Sequence, residues 1–186
     1  IGHTAGRDDQ QDYAIAIGNA CGTQQSQGIA AVAIGNVAGH INQGNYAIAI
    51  GNSVAYTGQG ANGIALGTNT GEVDQGANAV AIGTGSGRYN SQGTSAVAIG
   101  NIAGHDNQGD YAVGIGSGAA KQNQVSNAVA IGNSAGEFDQ GASAIAIGQN
   151  SGRYNSQGTA AVAVGNMAGH NNQGDVAVAI GNSAAH

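Results

Sequence analysis

The sequence has few charged residues and no proline, and these shortages exclude several classes of protein. Charged residues make up 8% of the 186 positions, the formal net charge is −6, and no basic patch is present. Because nucleic acid attracts basic surfaces, we expect no nucleic-acid partner. No apolar run reaches the about 18 residues that a membrane-spanning helix requires, so we expect no direct membrane insertion. A single cysteine excludes a disulfide within the chain.

The motifs of catalysis, cofactor binding and calcium binding are also missing. Serine, histidine and aspartate do not recur at a common spacing, and runs such as Gly83-Thr84-Gly85 are not phosphate-binding loops that open a helix. We therefore expect no enzyme, no catalytic residues and no cofactor. The acidic residues are scattered over turns and lack the G-G-x-G-x-D-x-U-x period of calcium-binding rolls. Turn formation is the favoured interpretation of these acids, and calcium binding is the alternative.

What the chain does contain is one five-residue stretch, Ala-Val-Ala-Ile-Gly, that recurs with small changes along its whole length. The copies occupy residues 14–18, 31–35, 47–51, 63–67, 79–83, 96–100, 112–116, 128–132, 144–148, 161–165 and 177–181. Their spacing is constant to within one position. Self-similarity at a short fixed period indicates a solenoid of stacked units. Branched residues that alternate with alanine predict one β-strand in each copy.

The two faces of this strand differ in size but are both apolar. In one copy Ile48 and Ile50 point one way, while Ala47, Ala49 and Gly51 point the other way. A strand with one solvent-exposed face would alternate apolar with polar residues. We therefore expect both faces to be buried: the Ile/Val face in the chain's own core, and the Ala/Gly face against a second layer or another chain.

Each unit adds a short second half that predicts a second strand and a return turn. In the unit at 101–116 the sequence Asn107-Gln108-Gly109 supplies the turn, since Asn and Gly tolerate positive φ. Each unit would then fold as one turn of a parallel β-roll, which we call a rung.

Every fourth unit, such as 84–100, is one residue longer than the three that follow it. Four consecutive units therefore form a larger repeat, the 65-residue super-repeat. The run Arg-Tyr-Asn-Ser-Gln-Gly-Thr at 88–94 recurs unchanged at 153–159. The extra residue lies in this run, so we expect a bulge at one corner of every fourth rung.

We read residues 1–186 as a single array of eleven rungs and as a fragment of a longer fibre. Burying two branched side chains cannot offset the entropy of ordering a whole rung, so contacts between rungs and between chains must contribute. We therefore expect an obligate oligomer.

The repeats resemble those of a known family. Val-Ala-Ile-Gly-Asn-Ser-Ala at 129–135 and Ala-Ile-Gly-Asn-Ser-Ala at 179–184 are similar to the head repeats of YadA-like trimeric adhesins. The resemblance implies a left-handed parallel β-roll, three intertwined chains, and an extracellular, adhesive role. The second half of each unit, Ala-Gly-x-x-Asn-Gln-Gly, is more similar to repeats of phage and large-virus fibre proteins.

The polar side chains just before the second strand form a column along the solenoid, which we call the corner column. Its histidines are His40, His105, His170 and His186. The first three are four rungs apart, roughly 19 Å at ~4.8 Å per rung, so no two of them share a metal within one chain. A site of three histidines around a threefold axis is the alternative. Because the column also carries threonine, tyrosine, glutamate, arginine and lysine, we favour a solvated face.

Charged and aromatic side chains gather near the bulged corner, where we expect a partner to bind. One-unit spacing predicts the ion pairs Glu72–Arg88 and Glu137–Arg153, and stacks Phe138 over Tyr154. The candidate contact residues are His40, Arg88, Tyr89, His105, Arg153, Tyr154 and His170.

Three functions are compatible with this array. The first is a structural and adhesive fibre segment on a cell or virion surface, whose partners are copies of itself and a host-cell or matrix receptor. The second is a passive spacer of a viral or phage fibre that carries a separate receptor-binding tip. The third is an ice- or polysaccharide-binding solenoid. The variety of the corner column and the irregular placement of threonine are untypical of an ice-binding face.

Overall fold

The computed structural model describes residues 1–154 and 156–185, and within them the chain is an all-β parallel solenoid without helices. One sheet contains eleven parallel strands, one from each five-residue copy. They are β1 Ile15–Asn19, β3 Val32–Asn36, β5 Ile48–Asn52, β7 Ile64–Thr68, β8 Val80–Ile82, β10 Val97–Ile99, β12 Val113–Ile115, β14 Val129–Ile131, β15 Ile145–Ile147, β16 Val162–Val164 and β17 Val178–Ile180.

A second face of the solenoid is built from the second halves of the units. It holds two three-stranded parallel sheets, joined along the same face by single bridges such as Thr57–Val73. Their strands are β2 Gln24–Gln27, β4 Ile41–Gln43, β6 Thr57–Gln59, β9 Tyr89–Gln92, β11 Asp106–Gln108 and β13 Gln122–Gln124.

The pairing register confirms that one sequence unit is one rung. Val129 pairs with Ile145, its equivalent in the next unit, and Ile145 pairs with Val162, its equivalent across one of the longer units. Identical positions of the repeat therefore stack directly on each other.

The inward and outward faces of the main strands are the reverse of those expected. Ala33, Ala49 and Ala65 are fully buried inside the chain's own solenoid, whereas Ile48 and Ile50 point outward. The prediction that Ile and Val fill the core was therefore wrong. The physical reason is width: a Cβ added to Gly39 would lie only 2.7 Å from the Gln43 Oε1 across the interior. Such a narrow space admits alanine but not two facing layers of branched side chains.

A continuous ladder of glutamine amides fills the remaining interior. Gln108 Nε2 donates to Gln124 Oε1 at 3.1 Å in the next rung, and to the carbonyl oxygens of Val97 at 2.8 Å and Ala112 at 3.3 Å. The same side-chain bond links successive rungs from Gln43 to Gln173. Hydrogen bonding offsets the burial of these polar side chains: every Nε2 in the ladder donates to carbonyl oxygens, and every Oε1 from Gln59 to Gln173 accepts from the preceding rung, whereas Gln43 Oε1 at the start of the ladder has no partner among the described residues. The predicted Asn-Gln-Gly turn thus contains a core residue.

The glycines that end the five-residue copies are required both by their backbone conformation and by the small distance to the next rung. Gly100 has φ +136°, and a Cβ there would lie 2.4 Å from the Gly116 carbonyl oxygen in the next rung. Asn107 occupies the left-handed region at φ +53°, as the turn chemistry predicts.

The bulge at every fourth rung is confirmed at two of its three positions by the strand register. Asp106 pairs with Tyr89, but Gln108 pairs with Gln92, so β9 contains one residue more than β11. Strand β2 has the same irregularity against β4.

Candidate attachment surface

The outward side chains of the eleven main strands form one long surface, which we call the apolar stripe. Each strand contributes two residues, Ile, Val or Leu, in the pairing register. Ile131 is 37% exposed and Ile180 is 68% exposed, and the other members are half-buried or exposed. Ten spacings at ~4.8 Å make the stripe about 48 Å long, and two side-chain columns make it roughly 10 Å wide, which gives about 500 Å². That size is near the upper end for a soluble monomer, whose largest patch is about 300–600 Å².

Both predicted ion pairs form in the corner column. Arg88 Nε donates to Glu72 Oε2 at 2.6 Å, and Arg153 Nε donates to Glu137 Oε2 at 2.6 Å. Lys121 Nζ also lies 3.8 Å from Glu137 Oε1, so this carboxylate serves two cations. The pairs are therefore links between neighbouring rungs.

Aromatic rings continue the contacts beside these ion pairs. Phe138 stacks on Tyr154 with ring centroids 5.9 Å apart, as one-unit spacing predicts. The Arg153 guanidinium lies over the Tyr154 ring at 4.5 Å, and His170 meets that ring edge-on at 5.0 Å.

The same arrangement recurs one super-repeat earlier in the chain. Arg88 lies 4.5 Å from the centre of the Tyr89 ring, and His105 meets that ring edge-on at 5.0 Å. His40 lies apart from both groups, where it stacks on Tyr56 at 5.0 Å and its Nδ1 lies 2.7 Å from Thr23 Oγ1. The seven candidate residues therefore form two matching clusters and one separate histidine.

The corner column is less solvated than the sequence suggests. Thr23 is 2% exposed, Glu137 is 7% exposed and His170 is 8% exposed. The expectation of a solvated face is wrong at these three positions, since hydrogen bonding, ion pairing and ring stacking cover them.

The three histidines of the column that the structure describes, His40, His105 and His170, do not approach one another, because four rungs separate each from the next. Among the residues that the structure describes, no three His, Cys, Asp or Glu side chains are grouped as metal ligands. His186, the fourth predicted member, lies outside the described residues.

An exposed ion pair lies near the start of the chain. Asp8 accepts hydrogen bonds from the exposed Arg7 guanidinium and raises the pKa of Arg7.

Cys21 is fully buried in the column of small residues that includes Ala38 and Ala103. Its Sγ–H donates to the Gly35 carbonyl oxygen at 3.1 Å.

Two grooves lined by polar and apolar groups open on the second face of the solenoid, one at each of the two bulges described above. The first groove, of about 530 Å³, and the second groove, of about 350 Å³, contain equivalent residues one super-repeat apart. The shared pairs are Ser26 and Ser91, Gly28 and Gly93, Asn42 and Asn107, Gln43 and Gln108, Gly44 and Gly109, and Asn45 and Asp110.

A side-chain cap supports each bulge. In each longer rung, the backbone N–H two residues after the buried glutamine donates to a side chain of the next rung. Thr94 N–H donates to Asp110 Oδ1 at 2.8 Å, and Ile29 N–H donates to Asn45 Oδ1 at 3.0 Å. Asp175 accepts from Thr159 in the third repeat in the same way.

Sequence reasoning did not identify the grooves or their caps. A signal was present, since Asn45, Asp110 and Asp175 recur at the period of the super-repeat. Two exposed tyrosines, Tyr46 and Tyr111, directly follow the first two of these caps.

No family model, no curated protein and no solved structure matches this chain. None of the described residues forms a helix long and apolar enough to cross a membrane.

Proposed function

We propose that the chain is a segment of an extracellular structural and adhesive fibre, in which three copies bury their apolar stripes against one another. The observation that carries this proposal is the stripe itself. It runs over all eleven main strands, contains no charged residue, and leaves Ile50, Ile131 and Ile147 more than a third exposed. An apolar patch near the upper end of the range for soluble monomers is often a functional surface, and a protein interface is one such surface.

Another copy of the chain is the partner that fits the stripe best. Identical stripes share one rung spacing, so the ridges of one copy can lie between the ridges of the next over the full length. Each copy in a ring of three would contribute its stripe to a common centre, and standard interfaces bury about 800 Å² per partner. The number three and a left-handed coil rest on the resemblance to YadA-like head repeats.

In this arrangement the corner column and the two grooves face outward. The paired charges and stacked rings then belong to the surface that meets a host cell or matrix. The spacer function shares the same assembly, whereas an ice-binding face would need exposed ranks of threonine where the chain has Ile and Val.

Sedimentation equilibrium of two matched double variants tests the assembly. Ile50→Asp with Ile131→Asp places two charges in the stripe, whereas Asn101→Asp with Asn133→Asp places the same two charges on exposed turns. We expect the unmodified chain and the turn variant to be trimers. The stripe variant should be a monomer that keeps its β-sheet circular dichroism, because the buried alanines and the glutamine ladder link the rungs within each chain, which the expectation of an obligate oligomer did not include. An unmodified chain that is monomeric at every concentration contradicts the proposal, as does a stripe variant that remains trimeric.

A further inference from the structure

The lining of the two bulge grooves has the chemistry of a site for an uncharged, hydroxyl-rich ligand. The second groove presents the side chains of Asn90, Ser91, Asn107, Asp110 and Ser126 together with backbone groups. Amides and hydroxyls both donate and accept hydrogen bonds, as sugar hydroxyls do. No arginine, lysine or histidine lines either groove. A polyanion would find no partner there and would be repelled by the net charge of −6.

An exposed tyrosine follows the cap residue of each groove and is held in a costly backbone conformation. Tyr46 is 59% exposed and Tyr111 is 60% exposed, and both have φ +60°. Asn fills the same position of the repeat at Asn62 and Asn127, also with positive φ, and Asn tolerates this region better than a bulky residue. Tyr13 and Val176 also occupy this position with positive φ, so what distinguishes Tyr46 and Tyr111 is that each exposed ring directly follows a residue that lines a groove.

The spacing of the grooves matches a repeating ligand. They lie one super-repeat apart, which is four rungs or about 19 Å along the solenoid. A polymer that occupies both grooves would bind with a higher apparent affinity than a single sugar ring, because the second contact is intramolecular.

We propose that the two grooves bind sugar rings of a neutral polysaccharide, which names the partner class for the attachment function above and rests on it. Asn42, Asn107 and Asp110 hydrogen-bond the sugar hydroxyls, and the Tyr46 and Tyr111 rings stack on the apolar faces of the sugars. The third repeat has Val176 in place of the tyrosine, so the stacking ring is confined to the first two repeats.

Native affinity electrophoresis provides the test. The full chain is run through gels that contain amylopectin, galactomannan, hydroxyethyl cellulose or laminarin, with heparin as the polyanion. We expect at least one neutral polysaccharide to retard the chain. The variant Tyr46→Asn with Tyr111→Asn should bind that polysaccharide more weakly, by about 2- to 10-fold for each ring lost. Its thermal stability should not fall, because Asn suits the backbone. Tyr46→Phe with Tyr111→Phe keeps the rings and should keep most of the binding.

A second pair of variants tests the grooves independently of the tyrosines. Ser26→Leu with Ser126→Leu fills both grooves and should reduce retardation at least as strongly. Ala77→Leu with Ala142→Leu adds the same side chain to two positions that line neither groove, and should bind normally.

Retardation by none of the four neutral polysaccharides, or by heparin alone, overturns the proposal. Retardation that survives both the asparagine and the leucine variants overturns it as well. Sedimentation equilibrium on the same samples separates this failure from a failure of the fibre proposal, because the grooves lie outside the apolar stripe. A trimer that binds no polysaccharide refutes only the sugar site, and a monomer that binds polysaccharide refutes only the trimer.

Discussion

The glutamine ladder can be tested at Gln108, in the middle of the chain. Replacing Gln108 by leucine keeps a side chain of similar size but removes its amide. Gln124 Oε1 then loses the donor that lies 3.1 Å away, while the carbonyl oxygens of Val97 and Ala112 each lose one hydrogen bond. An orphaned buried polar group costs about 1–3 kcal/mol, so we expect Gln108→Leu to lower the free energy of unfolding by at least that amount.

Gln27 offers a matched control, because it is a ladder position without a neighbouring glutamine bond. Its Oε1 has no partner among the described residues, and its Nε2 donates only to the carbonyl oxygens of Ile15 and Ala31. Gln27→Leu therefore orphans no other amide, and it should cost less than Gln108→Leu.

Gln108→Glu adds a pH dependence with a definite sign. Burial disfavours the carboxylate, so the pKa of this glutamate should be higher in the folded chain than its ordinary ~4.3 in the unfolded chain. The protonated glutamate side chain destabilises the fold less than the carboxylate does, so the loss of stability is smallest below about pH 4. The cost should rise by about 1.4 kcal/mol per pH unit between the unfolded and folded pKa values, and then level off.

Urea unfolding at one chain concentration, followed by circular dichroism between pH 4 and 8, measures these differences against the unmodified chain at each pH. If the loss in free energy of unfolding caused by Gln108→Glu did not change with pH, residue 108 would not face an interior that excludes water. Equal costs at Gln108 and Gln27 would show that the ladder bonds contribute nothing.

Three further substitutions, two of them paired with a control variant, test the turns and the corner column by the same unfolding assay. Gly100→Ala should cost more than about 3 kcal/mol, since its Cβ would collide with the next rung. Gly118→Ala should cost only about 1–2 kcal/mol, because Gly118 has φ +65° but its Cβ would come no closer than 3.4 Å to Ser134. Equal costs would contradict the close approach. Val176→Asn should stabilise by about 0.5–1 kcal/mol, because Val176 is 73% exposed at φ +57°, and Val178→Asn in a strand should destabilise. Stabilisation by both would refute the conformational argument. Glu137→Gln should cost about 1–3 kcal/mol, because it leaves two cations beside a neutral group, and a loss below about 0.5 kcal/mol would show that the pair contributes little to stability.

The rung length, the register and the ion pairs could be predicted from the sequence because they depend only on spacing. Residues one unit apart must stack in a parallel solenoid, so Glu137 and Arg153 meet whatever fills the interior. The period of the super-repeat located the bulge for the same reason.

The choice of inner face could not be predicted, because alternation separates two faces without stating which one is inside. The general preference for burying large apolar side chains favoured Ile50 over Ala49. The interior of the solenoid is too narrow to hold two layers of branched side chains, so the isoleucines lie on the outside. Gln108 was read as a turn residue for a related reason, since its burial depends on a partner in the neighbouring rung.

The grooves were missed because they are produced by the mismatch between a longer rung and the shorter rung stacked on it. A bulge is visible in the sequence as one extra residue, but the space beside it depends on how the neighbouring rung closes. Asp110 shows this dependence, since its carboxylate accepts a hydrogen bond from the Thr94 N–H of the longer rung.

Small-angle X-ray scattering of the unmodified chain tests the central claim most directly, because it reports mass and length together. Side-by-side assembly through the apolar stripe predicts a particle of three 17.9 kDa chains, about 54 kDa, that is no longer than one solenoid. Eleven stacked strands set that length at about 48 Å plus the ends. A 17.9 kDa particle of the same length, or a thin rod that grows by end-to-end stacking, would contradict the account.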